Sequence, residues 1–275
     1  MNDHEMNTRI PAVLVHGWNS HPGIWNKLTP LLVQASVPAW KFDHTGMAGE
    51  TIPDIAKAIG DYVRTMREET GYTGKLDVVC HSVGTCIARY YLEVLDGSLR
   101  TANVRQLIGL GPPNNGSAMA DLFFDPVRGE EIINRLTGVF VPQGYDPSND
   151  RIVHDVRPKS PVMYRLRTAG IRPDITYRII VTGNPGEDPA FFPLFEGRTW
   201  EQAPDGRYRT TFKGDGLVPH HESALPGISL DIIPAVREDG SALPDAGQYC
   251  HINLPRNPVV MDRVIRYLTM PVREP

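Results

Sequence analysis

The chain has 275 residues, of which 41% are hydrophobic and 22% charged, and its 28 Lys and Arg stand against 32 Asp and Glu for a net charge of −4. That balance fits an ordinary soluble globular protein, long enough to bury a core without disulfides or metals, and it offers no basic stripe to neutralise nucleic-acid phosphates. Three cysteines, Cys80, Cys86 and Cys250, are few and odd in number, which argues against a disulfide framework and fits a reducing compartment.

From the N-terminus, Met1 to Arg9 is polar and mixed in charge, without the basic start and apolar run of a signal peptide. No later stretch is long enough to span a bilayer, so a cytoplasmic location is expected. Ala12-Val13-Leu14-Val15 reads as a first strand ending at His16-Gly17, Ile24 to Gln34 as a helix, and Ala39 to Phe42 as a second strand. Ile52, Ile55, Ala56, Ile59, Tyr62, Val63 and Met66 recur at offsets of three and four, which predicts an amphipathic helix punctuated by Gly71 and Gly74. Lys75 to Cys80 reads as a strand, Val83 to about Leu95 as a helix, and Val104 to Leu110 as another strand. Strands are also expected at Ile175 to Val181 and Ser229 to Ile233, with a closing helix that puts Val260, Val264, Tyr267 and Leu268 on one side.

The alternation predicts an α/β fold with a mostly parallel sheet of about six strands flanked by helices, one domain over residues 1–275. It lapses between Gly116 and Ile175, where short helical pieces (Ala118 to Phe124, Glu130 to Leu136) sit among prolines and apolar residues. A structureless loop that long is improbable, so residues 117–174 are read as a lid-like insertion over one end of the sheet.

Val78-Val79-Cys80-His81-Ser82-Val83-Gly84 carries the chemistry. A strand that turns abruptly into a helix passes its turn residue through a strained conformation, and small neighbours two before and two after relieve the crowding; here they are Cys80 and Gly84. The turn would expose Ser82 above the carboxyl end of the sheet and leave the Val83 N–H at a helix N-terminus, aimed at a developing oxyanion. Without such company Ser82 would read as a helix N-cap.

Four motifs make the sequence resemble the α/β-hydrolase superfamily, especially its lipase and esterase branch, from about residue 10 to 270. His16-Gly17-Trp18 looks like the oxyanion loop and Cys80-His81-Ser82-Val83-Gly84 like the nucleophile elbow. Gly111-Pro112-Pro113-Asn114-Asn115-Gly116-Ser117 looks like a turn common in lipases, and Gly214-Asp215-Gly216-Leu217-Val218-Pro219 like the turn carrying the acid. The order of nucleophile, acid, histidine is the one this fold uses. Cys80 departs from the family, which usually has Gly there.

Of nine histidines, His251 lies between the last strand and the closing helix, where the resemblance places the base. His16 and His81 belong to motifs where histidine is usually structural, His220 and His221 crowd Asp215 along the chain, and His4, His21, His44 and His154 have no context. Asp215 is the preferred acid; Asp188, Asp205 and Glu222 compete, Asp188 most closely because it follows a strand, while Asp215 itself could be a plain turn residue. The implied mechanism is attack by Ser82 on an ester carbonyl, with His251 as base, Asp215 orienting it, and the backbone N–H groups of Trp18 and Val83 holding the oxyanion.

Met119, Leu122, Phe123, Phe124, Val139, Phe140 and Val141, with Phe191, Phe192, Leu194 and Phe195, could cover an acyl site or simply pack onto the sheet. No cofactor is expected and no His or Cys pair has metal-ligand spacing; some lipases of this branch hold a structural calcium ion, whose ligands do not map onto this sequence. The expected partner is a small-molecule or lipid ester, not nucleic acid, and the oligomeric state is left open. A thioesterase or acyltransferase with the same triad, or an inactive hydrolase fold serving as a binding module, are the alternatives.

Overall fold

The computed structural model describes residues 10–241 and 243–270, so the polar segment Met1 to Arg9, His4 included, lies outside the described residues. Six parallel strands form one sheet in the order β2-β1-β3-β4-β5-β8: β1 Ala12–Val15, β2 Ala39–Phe42, β3 Leu76–His81, β4 Val104–Leu110, β5 Thr176–Gly183 and β8 Leu230–Pro234. A separate antiparallel hairpin, β6 Thr199–Gln202 and β7 Tyr208–Thr211, precedes the Asp215 turn.

The central strands β1 and β3 are buried on both faces because each face is covered. Ala12 and Leu14 of β1 and Val79 of β3 point to the layer of α1 (Leu28–Gln34) and, last in the chain, a long helix at Pro258–Thr269. Val13, Val15, Val78 and Cys80 point to the layer of α2 (Ile52–Thr70) and α3 (Val83–Arg89), which runs on as a π-helical turn, Tyr90–Leu95. Cys80 is fully buried there, so the sulfur in place of the usual glycine hydrogen finds room in the core. Helix α2 shows why its sequence folds locally. Thr51 caps it reciprocally with Asp54, Gly71 ends it in the left-handed region at φ 69°, and Ile52, Ile55, Ala56, Ile59 and Val63 are buried on one face.

The expected helix over Ile24 to Gln34 is two pieces, a 3-10 turn Pro22–Trp25 and then α1. Pro30 has no N–H for the Asn26 carbonyl, and its ring would clash with that carbonyl in a continuous helix. Residues 117–174 hold α4 (Ala118–Leu122), α5 (Gly129–Leu136), α6 (Arg151–Asp155) and α7 (Pro161–Ala169). Their second half is tied to the body: the Ile52 N–H donates to Asp155 Oδ2 at 2.8 Å, and Arg165 donates to Tyr90 Oη at 3.2 Å. Two helices complete the chain, α8 (His220–Ser223) and α9 (Pro258–Thr269). Among the described residues no helix is long and apolar enough to cross a membrane.

Chain order makes a crevice. After β1 the chain goes outward to β2 and returns to β3 on the other side of β1, so the loops leaving β1 and β3 diverge at their carboxyl ends. Open parallel sheets place ligands at such a switch point.

Candidate active site

Ser82 is the hinge between β3 and α3, held at φ 54°, ψ −133°. A non-glycine residue there costs about 1–3 kcal/mol, which the surroundings must sustain. The Ser82 N–H donates to Leu110 O at 2.9 Å, and the Thr85 N–H to Ser82 O at 3.0 Å. Gly84 is required by space: a Cβ there would lie 2.4 Å from His16 O and 2.8 Å from Val15 O, both rigid backbone atoms. Helix α3 can therefore approach β1 closely enough to set Ser82 beside Gly17 only because residue 84 has no side chain.

His251 begins the 3-10 turn His251–Arg256, and its ring joins two partners. A carboxylate can only accept, so Nδ1 carries the proton donated to Asp215 Oδ2 at 2.7 Å, and Nε2 is left to accept from Ser82 Oγ at 2.8 Å. The other carboxylate oxygen of Asp215 accepts from the N–H groups of Leu217 at 3.1 Å and Val218 at 2.7 Å. The His251 N–H also donates to Asp215 O at 2.8 Å, so backbone and side chain fix the pair together. Gly111, at φ 55°, makes room for it: a Cβ there would lie 2.5 Å from Asp215 Oδ2. Asp215 and His251 are buried.

The rival acids lie elsewhere. Asp188 caps the 3-10 turn Pro189–Phe191, accepting from the Ala190 N–H at 2.8 Å, and Asp205 pairs with Arg207. Glu222 is buried and accepts from the Ala118 N–H at 2.9 Å; burial lifts its carboxyl well above the usual range. Of the other histidines, His220 bonds to Thr182 O at 2.8 Å, His154 to Ser148 O at 3.2 Å, and His221 lies 3.4 Å from Glu201.

His81 and His16 hold the site in shape. His81 Nε2–H donates to His251 O at 2.9 Å, with the two rings 4.8 Å apart. Burial drives the His81 pKa far below the ordinary histidine value, so it stays neutral beside the His251 ring. His16 donates through Nδ1 to Gly17 O at 3.0 Å, accepts at Nε2 from the His44 N–H at 3.3 Å, and stacks on His44 at 3.7 Å. Burial, reinforced by His44, lowers its pKa to about 4. This fixes the loop that carries Trp18.

The N–H groups of Trp18 and Val83 donate to no acceptor among the described residues, and Val83 opens α3, where a partner is structurally impossible within the helix. Trp18 is tied to residues 117–174: its Nε1–H donates to Asp150 Oδ2 at 2.7 Å, Tyr145 donates to the same oxygen at 3.2 Å, and the Trp18 ring meets those of Tyr145, Phe140 and Phe123. Asn19 reinforces this by donating to Phe140 O.

The asparagines of the Gly111–Ser117 turn have a role that sequence reasoning missed. Asn114 Nδ2 donates to Ser223 O at 2.7 Å, and Asn115 Nδ2 to His221 O and Ala224 O at 2.9 Å each, clamping the segment after Asp215. Arg89 of α3 reaches Asn114 from the Ser82 side, donating to its carbonyl at 3.1 Å, while Glu93 holds the guanidinium. Helix α3, which follows Ser82, and the segment after Asp215 thus share one buried polar connection.

Above Ser82 opens a cavity of about 410 Å³. Met119, Phe123, Val139, Phe140, Ile152 and Val156 line it, so part of the apolar set of residues 117–174 faces the cavity. Phe191, Phe192 and Phe195 do not line it; they are buried in the core, Phe192 against Gly216 of the acid turn. No group of three or more His, Cys, Asp or Glu among the described residues is placed to hold a metal ion.

A profile described as "Alpha/beta hydrolase family" matches residues 12–232. Among solved structures, a mature Bacillus licheniformis lipase superposes with a TM-score of 0.67 at 18% identity, covering 98% of this chain and 96% of its own. A Legionella pneumophila phospholipase gives 0.60 at 16% identity over 96% of this chain and 60% of its own. A Paleococcus ferrophilus monoacylglycerol lipase gives 0.53 at 15% over 95% and 96%. No curated protein matches the sequence.

Proposed function

The chain belongs to the alpha/beta hydrolase family, and from that premise we propose that it cleaves carboxylic esters through an acyl-enzyme on Ser82. The observation that carries the reading is the relay from Asp215 Oδ2 through His251 to Ser82 Oγ, 2.7 and 2.8 Å long, ending on a serine held in a strained turn. Ser82 Oγ attacks the carbonyl as His251 Nε2 takes its proton, and Asp215 stabilises the resulting imidazolium. The developing oxyanion receives the N–H groups of Trp18 and Val83. His251 then gives its proton to the leaving alcohol, and the same base activates the water that releases the acid and regenerates Ser82.

The lipase, phospholipase and monoacylglycerol lipase among the structural neighbours support an ester substrate with an acyl chain. The apolar lining contributed by residues 117–174 supports the same chain-bearing ester and a lid-like role for that segment. Each CH₂ buried there contributes about 0.8 kcal/mol, about fourfold in kcat/KM per methylene until the cavity is full. A series of p-nitrophenyl esters from acetate to decanoate tests this, with matched thioesters and alcohol acceptors as further arms. A rise to a medium-length optimum, abolished by Ser82→Ala, is expected. A monotonic fall from acetate contradicts the acyl-chain reading, and faster thioester cleavage or net acyl transfer contradicts ester hydrolysis.

A further inference from the structure

The cavity above Ser82 has two chemically different walls. The insertion supplies the apolar one. The other comes from the loop entering the turn Pro22–Trp25 and from the turn His251–Arg256 packed against it, and it presents Ser20, His21, Asn253 and Arg256. Among the described residues, Arg256 is the only Lys or Arg lining the cavity, and no Asp or Glu lines it. Its side chain is exposed and forms no ion pair or hydrogen bond among the described residues. Its neighbours along the chain behave differently: Arg263 pairs with Asp231 and Arg266 with Asp262. The charge of Arg256 also reaches the site, since it acts, after burial and His251, among the influences that keep His81 neutral.

An unpaired guanidinium on the polar wall of a cavity whose opposite wall is apolar has a specific use. Its planar fork donates to two oxygens of a phosphate or carboxylate at once. The whole chain carries −4, so an anion is drawn to this cavity by the local cation and not by the overall field. We infer that the preferred ester is anionic in its alcohol half, with a phosphate or carboxylate held by Arg256 while the acyl half lies on the insertion wall. Hydrolysis would then release a fatty acid and an oxyanion-bearing alcohol, with water supplying the hydroxyl. The inference rests on the ester-hydrolase reading of Ser82.

The test compares kcat/KM for the butanoyl esters of glycerol, glycerol 3-phosphate and glycolate, which are neutral, phosphate-bearing and carboxylate-bearing. The protein is assayed as wild type, Arg256→Gln and Arg256→Lys, with melting curves to show that each variant folds. An anionic preference of about tenfold is expected from one exposed charge-assisted contact. That ratio should collapse towards one in Arg256→Gln, recover in part in Arg256→Lys, and shrink with added salt. Whichever anionic ester leads identifies the group recognised. Ser82-dependent hydrolysis with no anionic preference, or a preference that survives Arg256→Gln, overturns the inference and leaves the hydrolase reading standing. Failure to cleave any of these esters or the p-nitrophenyl series overturns that reading, and the inference falls with it.

Discussion

Removing one carboxylate, Asp150→Ala, should loosen the oxyanion loop from a distance of 132 residues along the chain. Asp150 Oδ2 accepts from Trp18 Nε1–H at 2.7 Å and from Tyr145 at 3.2 Å, while Oδ1 caps α6 by accepting from the Val153 N–H at 3.0 Å. Losing a charged acceptor costs about 1.5–3 kcal/mol and losing a cap about 1 kcal/mol, and the half-buried setting reduces the sum to about 2–3 kcal/mol. At roughly 2–4 °C per kcal/mol, Tm should fall by roughly 5–10 °C. The catalytic effect should appear in kcat more than KM. Full loss of an oxyanion donor costs about 10²–10³, and a displaced Trp18 N–H should cost about tenfold. Asp150→Asn leaves one acceptor oxygen and turns the other into a donor, so it keeps either the cap or the Trp18 and Tyr145 contacts but not both, and should lose about 1–2 kcal/mol. Thermal melts and p-nitrophenyl ester kinetics on both variants decide. An Asp150→Ala protein with unchanged Tm and kcat would refute the reasoning, because the tie between insertion and oxyanion loop would then carry no energy.

Asp215→Asn should cut kcat by about 10⁴, because an amide favours the wrong tautomer of His251; Asp188→Asn, which touches only the turn Pro189–Phe191, should keep near-normal activity. A large loss for Asp188 with normal activity for Asp215 would move the acid. His16 has its folded pKa lowered to about 4 from 6.5, so the unfolded chain binds the extra proton first. Its contribution to stability is therefore complete above pH 6.5 and lost as pH falls towards 4, a change of about 3 kcal/mol. Urea unfolding of wild type and His16→Asn from pH 7 to 4 should show a slope smaller in His16→Asn by about this amount, since buried His81 contributes to both proteins, and equal slopes would refute it.

The sheet was readable because its signals are local. All six strands occur within two residues of where the apolar runs place them, and Ser82 was legible because a strand, a small residue, a turn and a glycine meet there in seven consecutive residues. The hairpin of β6 and β7 was missed although Ala203-Pro204-Asp205-Gly206 is a turn sequence with a mechanism, and Gly206 does sit at φ 82°. Helix α7 was missed although Ser160 and Pro161 form a cap and a first turn. What no local pattern could reveal is tertiary. Examples are Asp150 beneath Trp18, Asn114 and Asn115 clamping the acid loop, and the division of the phenylalanines. Phe123 and Phe140 face the cavity while Phe191 and Phe192 face the core, and composition is blind to that difference.

The central claim is that Ser82 becomes acylated. Acid quenching during turnover of a p-nitrophenyl ester, followed by intact-mass and peptide analysis, tests it directly. The account predicts one added acyl group located on Ser82, absent from Ser82→Ala and accumulating when His251→Ala is loaded with an activated ester. Ester turnover with the acyl group on another residue, or undiminished turnover in Ser82→Ala, would contradict it.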